Sequence, residues 1–378
     1  MDYRVILIEN NRVMLERLSS VIRGTSGFEL DARYQQAGDA LGQGQMFQPN
    51  LILLDIDTGH NLALIPEFAE TFPGAAILCL SGNWDAGNAA QVVKAGAKGY
   101  LIKPFSSQEF LEAVQTFGKS GMASSSETLA FFSPKGKSGK TTLVANLALS
   151  LARKSGDSVG IIDADLQFGD MAVFFNLSPQ STIVEAVRDI KFLSPISLNS
   201  YFVEVPEVEK LRILCGTKKP DYAELVDIPP FEDVVRMAQS LFRYVLIDLP
   251  PGFNPISVSA AEMSTLTYMV AMISGGFEVQ HMKRAMEIFK AWPDYERRVK
   301  PVFTRVEPCT DDQRKWLSGE MDFPVDAILP NEYLLVSAAA NNGRMAMDDR
   351  SGTVFADNIN RLADEIIGRR QQTRRAVS

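Results

Sequence analysis

Histidine and cysteine are scarce in this 378-residue chain, with two of the first and three of the second. His60 and His281 stand alone, which excludes a histidine-rich metal centre and leaves a Ser-His-Asp triad dependent on one isolated residue. Cys79, Cys215 and Cys309 show no CxxC spacing, and so sparse and odd a set argues against a disulfide framework and for a reducing compartment. No run approaches about 18 uninterrupted apolar residues, so no transmembrane helix is expected. Met1-Asp2-Tyr3-Arg4 leads into a short apolar segment carrying Glu9 and Asn10, unlike a signal peptide, and the expectation is a cytoplasmic protein. Positive charge is not in excess either: 38 Lys and Arg against 46 Asp and Glu give −8, so the whole molecule has no general pull on nucleic acid or anionic lipid. Nucleic acid is not an expected partner, and any such contact must be local.

What is present suffices for sizeable cores: 46% of residues are hydrophobic, and at about 150 residues per domain the length predicts two or three domains. Short apolar runs at Arg4 to Ile8, Leu30 to Tyr34, Leu51 to Leu54, Ala75 to Leu80 and Gly99 to Ile102 alternate with amphipathic stretches, the pattern of a parallel sheet covered by helices. A small, polar, aperiodic stretch around Gly118 to Glu127 then reads as a joint. The alternation restarts at Leu129 to Phe132 and continues through Val159 to Ile162, Leu211 to Leu214, Tyr244 to Ile247, Thr267 to Ile273 and Val299 to Phe303. The predicted organisation is α/β in two domains, 1–118 and 129–378, joined by a linker over 119–128. The methionine-rich region Met263 to Met286 reads as core, the face of Asn358 to Arg370 as core-packing helix, and Arg369 to Arg375 as a solvated basic tail.

The run Leu129 to Phe132 leads into Ser133-Pro134-Lys135-Gly136-Lys137-Ser138-Gly139-Lys140-Thr141-Thr142 and then a helical pattern at Leu143, Leu147 and Leu151. Strand, glycine-containing loop and helix stand in the order of a P-loop, in which backbone N–H groups from Gly136 to Thr142 surround phosphate, Lys140 reaches the terminal phosphates and Thr141 ligates Mg²⁺. Pro134 replaces the first glycine of the strict motif. The segment resembles the deviant-Walker ATPases of the ParA/MinD superfamily, whose additional signature lysine corresponds to Lys135, while Lys137 replaces that family's second glycine. Lys137 either adds a phosphate contact or distorts the loop. The resemblance implies ATP and Mg²⁺ as cofactors and a homodimer through the ATPase domain in which Lys135 reaches the partner's phosphates. Asp163-Ala164-Asp165 at one strand end resembles the segment that positions metal and attacking water, and Asp248 at the end of Tyr244 to Ile247 is the Walker B acid. Lys135, Lys140, Asp163 and Asp165 are thus the candidate catalytic residues, and Thr141, Asp165 and Asp248 the metal set. Thr304 stands where the family carries an adenine-reading Asn; Arg305 beside it and Pro330 in a late loop complete the base side.

The first domain resembles a response-regulator receiver with a flavodoxin-like five-stranded sheet. Its remnant site comprises Glu9, Asn10, Asp55, Ser81 and Lys103, with Tyr100 at the switch-aromatic position and Lys103 before a proline that is cis in the family. The acid pair is eroded, since Asn10 is uncharged and fewer carboxylates capture Mg²⁺ less well. An Asp55–Lys103 ion pair in a docking module is the expectation, against phosphorylation of Asp55.

A degenerate receiver followed by a deviant-Walker ATPase resembles the TadZ/CpaE family of tight-adherence (Flp) pilus systems. That resemblance implies a cytoplasmic ATP-binding positioning factor at the cell pole, a slow ATPase acting as a switch, with pilus secretion components and polar proteins as partners. Two other readings remain open: a DNA-partition ATPase using the Arg369 to Arg375 tail, and a phosphorelay regulator acting through Asp55.

Overall fold

The computed structural model describes residues 3–43, 46–119, 126–193, 195–206, 208–292, 294–349 and 352–377. The chain divides into two compact units, Met1–Ser125 with Asp189–Asn199, and Ser126–Arg188 with Ser200–Ser378. Within the linker predicted over 119–128, residues 120–125 lie outside the described residues.

The first unit contains five strands, β1 (Tyr3–Ile8), β2 (Phe28–Tyr34), β3 (Leu51–Asp55), β4 (Ala76–Ser81) and β5 (Gly99–Ile102), in the order β2-β1-β3-β4-β5 with every pairing parallel. A parallel sheet is covered on both faces, and its central strands therefore read as unbroken apolar runs. Residue alternation sorts those runs: Val5, Leu7, Leu51, Leu53, Leu78 and Leu80 pack with Leu18, Ile22 and Phe110 on one face. Ile6, Ile8, Ile52, Leu54, Ile77 and Cys79 pack with Ile65, Phe68 and Val92 on the other.

The second unit adds β6 (Glu127–Phe132), β7 (Val159–Asp163), β8 (Val203–Glu204), β9 (Leu211–Leu214), β10 (Tyr244–Asp248), β11 (Leu266–Met272), β12 (Val299–Val306) and β13 (Ala327–Pro330). Their order is β13-β12-β11-β6-β10-β7-β9-β8, parallel except for the β8–β9 pair. The two-domain α/β architecture expected from the sequence is present, a receiver-like five-stranded sheet followed by a larger, mostly parallel NTPase-like sheet. The helix Lys140–Ser155 is central to the larger unit: Leu143, Leu147 and Leu151 are fully buried. Gly156 ends it in a left-handed conformation (φ 66°), its N–H bonding the Ala152 carbonyl at 3.2 Å, a turn open to glycine because it has no Cβ. Met269, Met282 and Met286 are core residues.

Two local expectations need correction. Ala327–Pro330, read as part of a loop, is an edge strand that pairs with β12 across a register shift between Phe303 and Val306. The helix read over Asn358 to Arg370 runs from Val354 to Val377, through the stretch read as a tail, and Arg369, assigned to that solvated tail, donates to Asp326 Oδ1 at 2.7 Å from a half-buried position. An aspartate at the start of a strand gives that arginine a partner.

Candidate functional site

In open α/β sheets, ligands collect beyond the carboxyl ends of the strands, next to the point where strand order reverses. β6 sits at that point, between β10 and β11, and its end leads into the loop 133–139. Gly139 (φ 80°) caps the following helix, so the helix's free N–H groups open toward the loop. Gly252 N–H bonds the Ser133 carbonyl at 2.8 Å, tying the loop's start to the segment after β10. Lys137 takes φ 63°, a left-handed conformation suited to the glycine it replaces, and its side chain is exposed. Lys135 and Gly136 are also exposed, whereas Ser138 and Lys140 are buried.

Beneath the loop, Lys140 Nζ donates to Asp248 Oδ1 at 2.7 Å and Thr141 Oγ1 donates to Asp248 Oδ2 at 2.7 Å. Asp248 is fully buried at the end of β10, so these two bonds compensate its charge. Asp163 ends the neighbouring β7 and is also buried; its carboxylate accepts N–H bonds from Asp165 (3.3 Å) and Met171 (3.2 Å). Burial first, and then the Asp248 charge, hold the Asp163 carboxyl well above the usual carboxylate range. A Cβ on Gly169 would lie 2.4 Å from an Asp163 oxygen, so the turn closes over this carboxyl only with glycine there. Asp165 is half-buried and accepts the Phe168 N–H at 3.3 Å, which leaves the Phe168 ring 73% exposed.

On the other side of β6, Thr304 Oγ1 donates to the Ser138 carbonyl at 2.7 Å, and Gly139 packs against the same side chain. Arg305 adopts φ 55° and places its guanidinium 5.3 Å from the Tyr333 ring centroid. Gly139, Thr142, Thr304, Arg305, Pro330 and Tyr333 line a small pocket of about 60 Å³.

At the carboxyl ends of the first sheet, Lys103 Nζ donates to Glu9 Oε2 (2.5 Å) and Asp55 Oδ1 (2.6 Å) and lies 3.2 Å from Asp57 Oδ2. The Asp55 and Lys103 side chains are almost wholly buried. Those partners, Asp55 before Glu9, outweigh the burial that would lower the Lys103 pKa and hold it above the ordinary lysine value. Ser81 donates to Asp57, not to Asp55. Asn10 reaches Thr58 Oγ1 at 3.2 Å.

The sequence matches two family models, the response regulator receiver domain over residues 5–115 and the NUBPL iron-transfer P-loop NTPase of the ParA group over residues 124–293. The chain thus matches a receiver domain in its first part and a ParA-group P-loop NTPase in its second. An iron-sulfur cluster carrier protein of Pseudomonas fragi is 32% identical over 144 residues, 38% of this chain and 47% of its own length. The chain thus spans about half of that relative. A chain assigned as septum site-determining protein MinD of Mesostigma viride is 22% identical over 69% of this chain and 90% of its own. Among solved structures, Pyrococcus horikoshii MinD complexed with Mg-ADP superposes with a TM-score of 0.54 at 19% identity, covering 64% of this chain and 96% of its own.

The fold of the P-loop domain brings Lys140, Thr141 and Asp248 into contact and gathers Gly139, Thr142, Thr304, Arg305 and Pro330 around one pocket. Asp163 is placed inside the protein and Asp165 at its margin. In the receiver, Glu9, Asp55 and Lys103 meet, while Asn10 turns to Thr58. Sequence reasoning missed Asp57. A second aspartate two residues after the strand-end acid was the available signal.

Proposed function

We propose that the protein is an ATP-binding, dimerising positioning factor that assembles a Flp/Tad-type pilus secretion system at the cell pole, with slow hydrolysis as its timer. The observation that carries the nucleotide half of this reading is the convergence of Lys140 and Thr141, at the start of the helix that follows the loop 133–139, on buried Asp248. This donor set fits a Mg²⁺-nucleotide: N–H groups and Lys140 for phosphate oxygens, Thr141 and Asp248 for the metal's shell. Bound Mg²⁺ would neutralise phosphate charge. Lys140 is held on Asp248; phosphate would compete for that ammonium and leave Thr141 and Asp248 to the metal side. Asp165, at the margin of the site, is the residue to position water, and Asp163 orders the turn that carries it. Lys135 is exposed at the mouth of the loop, free to meet a second subunit. Arg305, Tyr333 and Pro330 supply the base side.

The positioning half rests on domain order and on relatives named for septum-site determination. Among the described residues, no helix is long and apolar enough to cross a membrane. The partners in this reading are pilus secretion components and polar proteins. Iron–sulfur carriage, suggested by other names among the matches, is the less favoured reading because Cys79 and Cys215 are buried. Burial pushes the Cys215 thiol up to about 12 and raises the Cys79 thiol as well, which disfavours the thiolate that a cluster needs.

The test is the light-scattering mass of the full chain with and without ATP and Mg²⁺. A monomer that doubles in mass only with ATP, and does not do so in Lys135→Ala, is the expected result. A mass indifferent to ATP, in a chain that also shows no nucleotide binding by calorimetry, would overturn it.

A further inference from the structure

A receiver is switched when a phosphoryl group on its strand-end aspartate takes hydrogen bonds from the hydroxyl after β4, the following N–H and the lysine after β5. Here those donors are already engaged. Asp57 Oδ1 accepts from the Ser81 hydroxyl and the Gly82 N–H (3.1 Å); Oδ2 accepts the same N–H at 3.0 Å and lies 3.2 Å from Lys103 Nζ. We infer that Asp57 is a built-in anion in the receiver's phosphoryl nest, holding the domain in its switched arrangement without phosphorylation.

Three further observations agree. Glu9, the remaining acid of the metal pair, has both oxygens committed, Oε2 to Lys103 and Oε1 to the Asn11 N–H at 2.8 Å. Asp55 Oδ1 accepts from Lys103 and from the Asp57 N–H at 3.1 Å, so the acceptor carboxylate is held by the same lysine and by Asp57's own backbone. A phosphoryl dianion on Asp55 would face the carboxylates of Glu9 and Asp57 while competing with them for one lysine. Tyr100, the switch aromatic, is turned inward: 3% exposed, its hydroxyl donating to the Asn83 carbonyl at 2.7 Å, its ring edge-on to Trp84 with centroids 5.3 Å apart. Ser81 and Tyr100 are thus both engaged, with a carboxylate where phosphate would be. Asp57 itself is held ionised: burial would raise its pKa, but the Ser81 hydroxyl, Lys103 and the Gly82 N–H outweigh it and lower it.

The inference is independent of the nucleotide reading, and so is its test. In the full chain carrying Trp292→Phe and Trp316→Phe, Trp84 is the one remaining tryptophan and reports on Tyr100. Acetyl phosphate with Mg²⁺ is expected to add no phosphoryl mass to this parent, and beryllofluoride or inorganic phosphate to leave its Trp84 emission unchanged, all without nucleotide. Asp57→Ala is expected to shift Trp84 emission, and beryllofluoride or phosphate to reverse that shift. Asp57→Asn, which keeps the volume and removes the charge, is expected to show the same anion response to a smaller extent. Phosphorylation of Asp55 in the parent would overturn the inference. So would emission and anion response in both folded variants identical to the parent's.

Discussion

Lys140 Nζ and Asp248 Oδ1 meet at 2.7 Å across 108 residues of sequence, with the aspartate fully buried and the lysine nearly so. Removing one partner of such a pair strands a charge in a medium that solvates it poorly, at a cost of about 3–5 kcal/mol, whereas removing both is often close to neutral. Lys140→Ala is therefore expected to lower unfolding free energy by about that amount and to abolish nucleotide binding. Lys140→Met with Asp248→Asn should recover most of the stability but none of the binding. Denaturant titration and calorimetry on the three variants separate the two roles, and a double variant as unstable as Lys140→Ala would show that the charge pair is not what the lysine stabilises.

Lys137 occupies a left-handed position at φ 63°. An L-residue there costs about 1–2 kcal/mol, partly offset in a glycine variant by about 0.5–1 kcal/mol of extra unfolded-chain entropy. Lys137→Gly should gain up to about 1.5 kcal/mol by the difference between these two effects. Because the lysine is exposed and the backbone path would be unchanged, ATP affinity is expected to fall little at high salt. Thermal unfolding and a salt series of ATP titrations read both effects. A tenfold loss of affinity at high salt would mean that Lys137 touches phosphate directly.

These expectations also show what was legible in the sequence. The central strands of the two sheets announced themselves as apolar runs because both faces of a parallel sheet are buried, and Asp55, Asp163 and Asp248 stood at their ends. Lys140 and Thr141 were readable from local order alone. Asp57 was readable only as a second acid two residues after Asp55; its role depends on a turn after β3 that brings it to Ser81, 24 residues away, and no local pattern records that approach. β8, two residues long, and β13, which ends in proline, are edge strands too short to show alternation. The Thr304 bond to Ser138 spans 166 residues, so the sequence could note a missing asparagine but not the contact that replaced it.

That contact is itself testable. Thr304→Val keeps the shape and removes the hydroxyl, leaving the Ser138 carbonyl without its donor at a buried position, at a cost of about 1–3 kcal/mol. Since Ser138 belongs to the loop, ATP affinity is expected to drop with stability. GTP affinity should drop by the same factor, because the hydroxyl is spent on the loop and not on a base. Parallel titrations with ATP and GTP check this; a loss confined to ATP would make Thr304 a base reader.

Asp163 links the site to pH. Its folded-state carboxyl is held above the value of an unfolded aspartate, so the folded protein binds this proton more tightly than the unfolded chain does. By linkage, its contribution to stability is fully present below the unfolded pKa of about 3.9 and is lost as pH rises through the folded pKa. Asp163→Asn removes that dependence. It also changes the bonds to Asp165 and Met171 N–H, but that change is a constant offset across pH. The stability of the wild type minus that of the variant should therefore increase as pH falls from 8 toward 5, whatever its absolute sign. Denaturant unfolding at several pH values gives this difference directly. A flat difference would mean that Asp163 titrates alike in the folded and unfolded protein, and a difference that falls toward acid would mean an ionised carboxylate stabilised by Lys140 in spite of its burial.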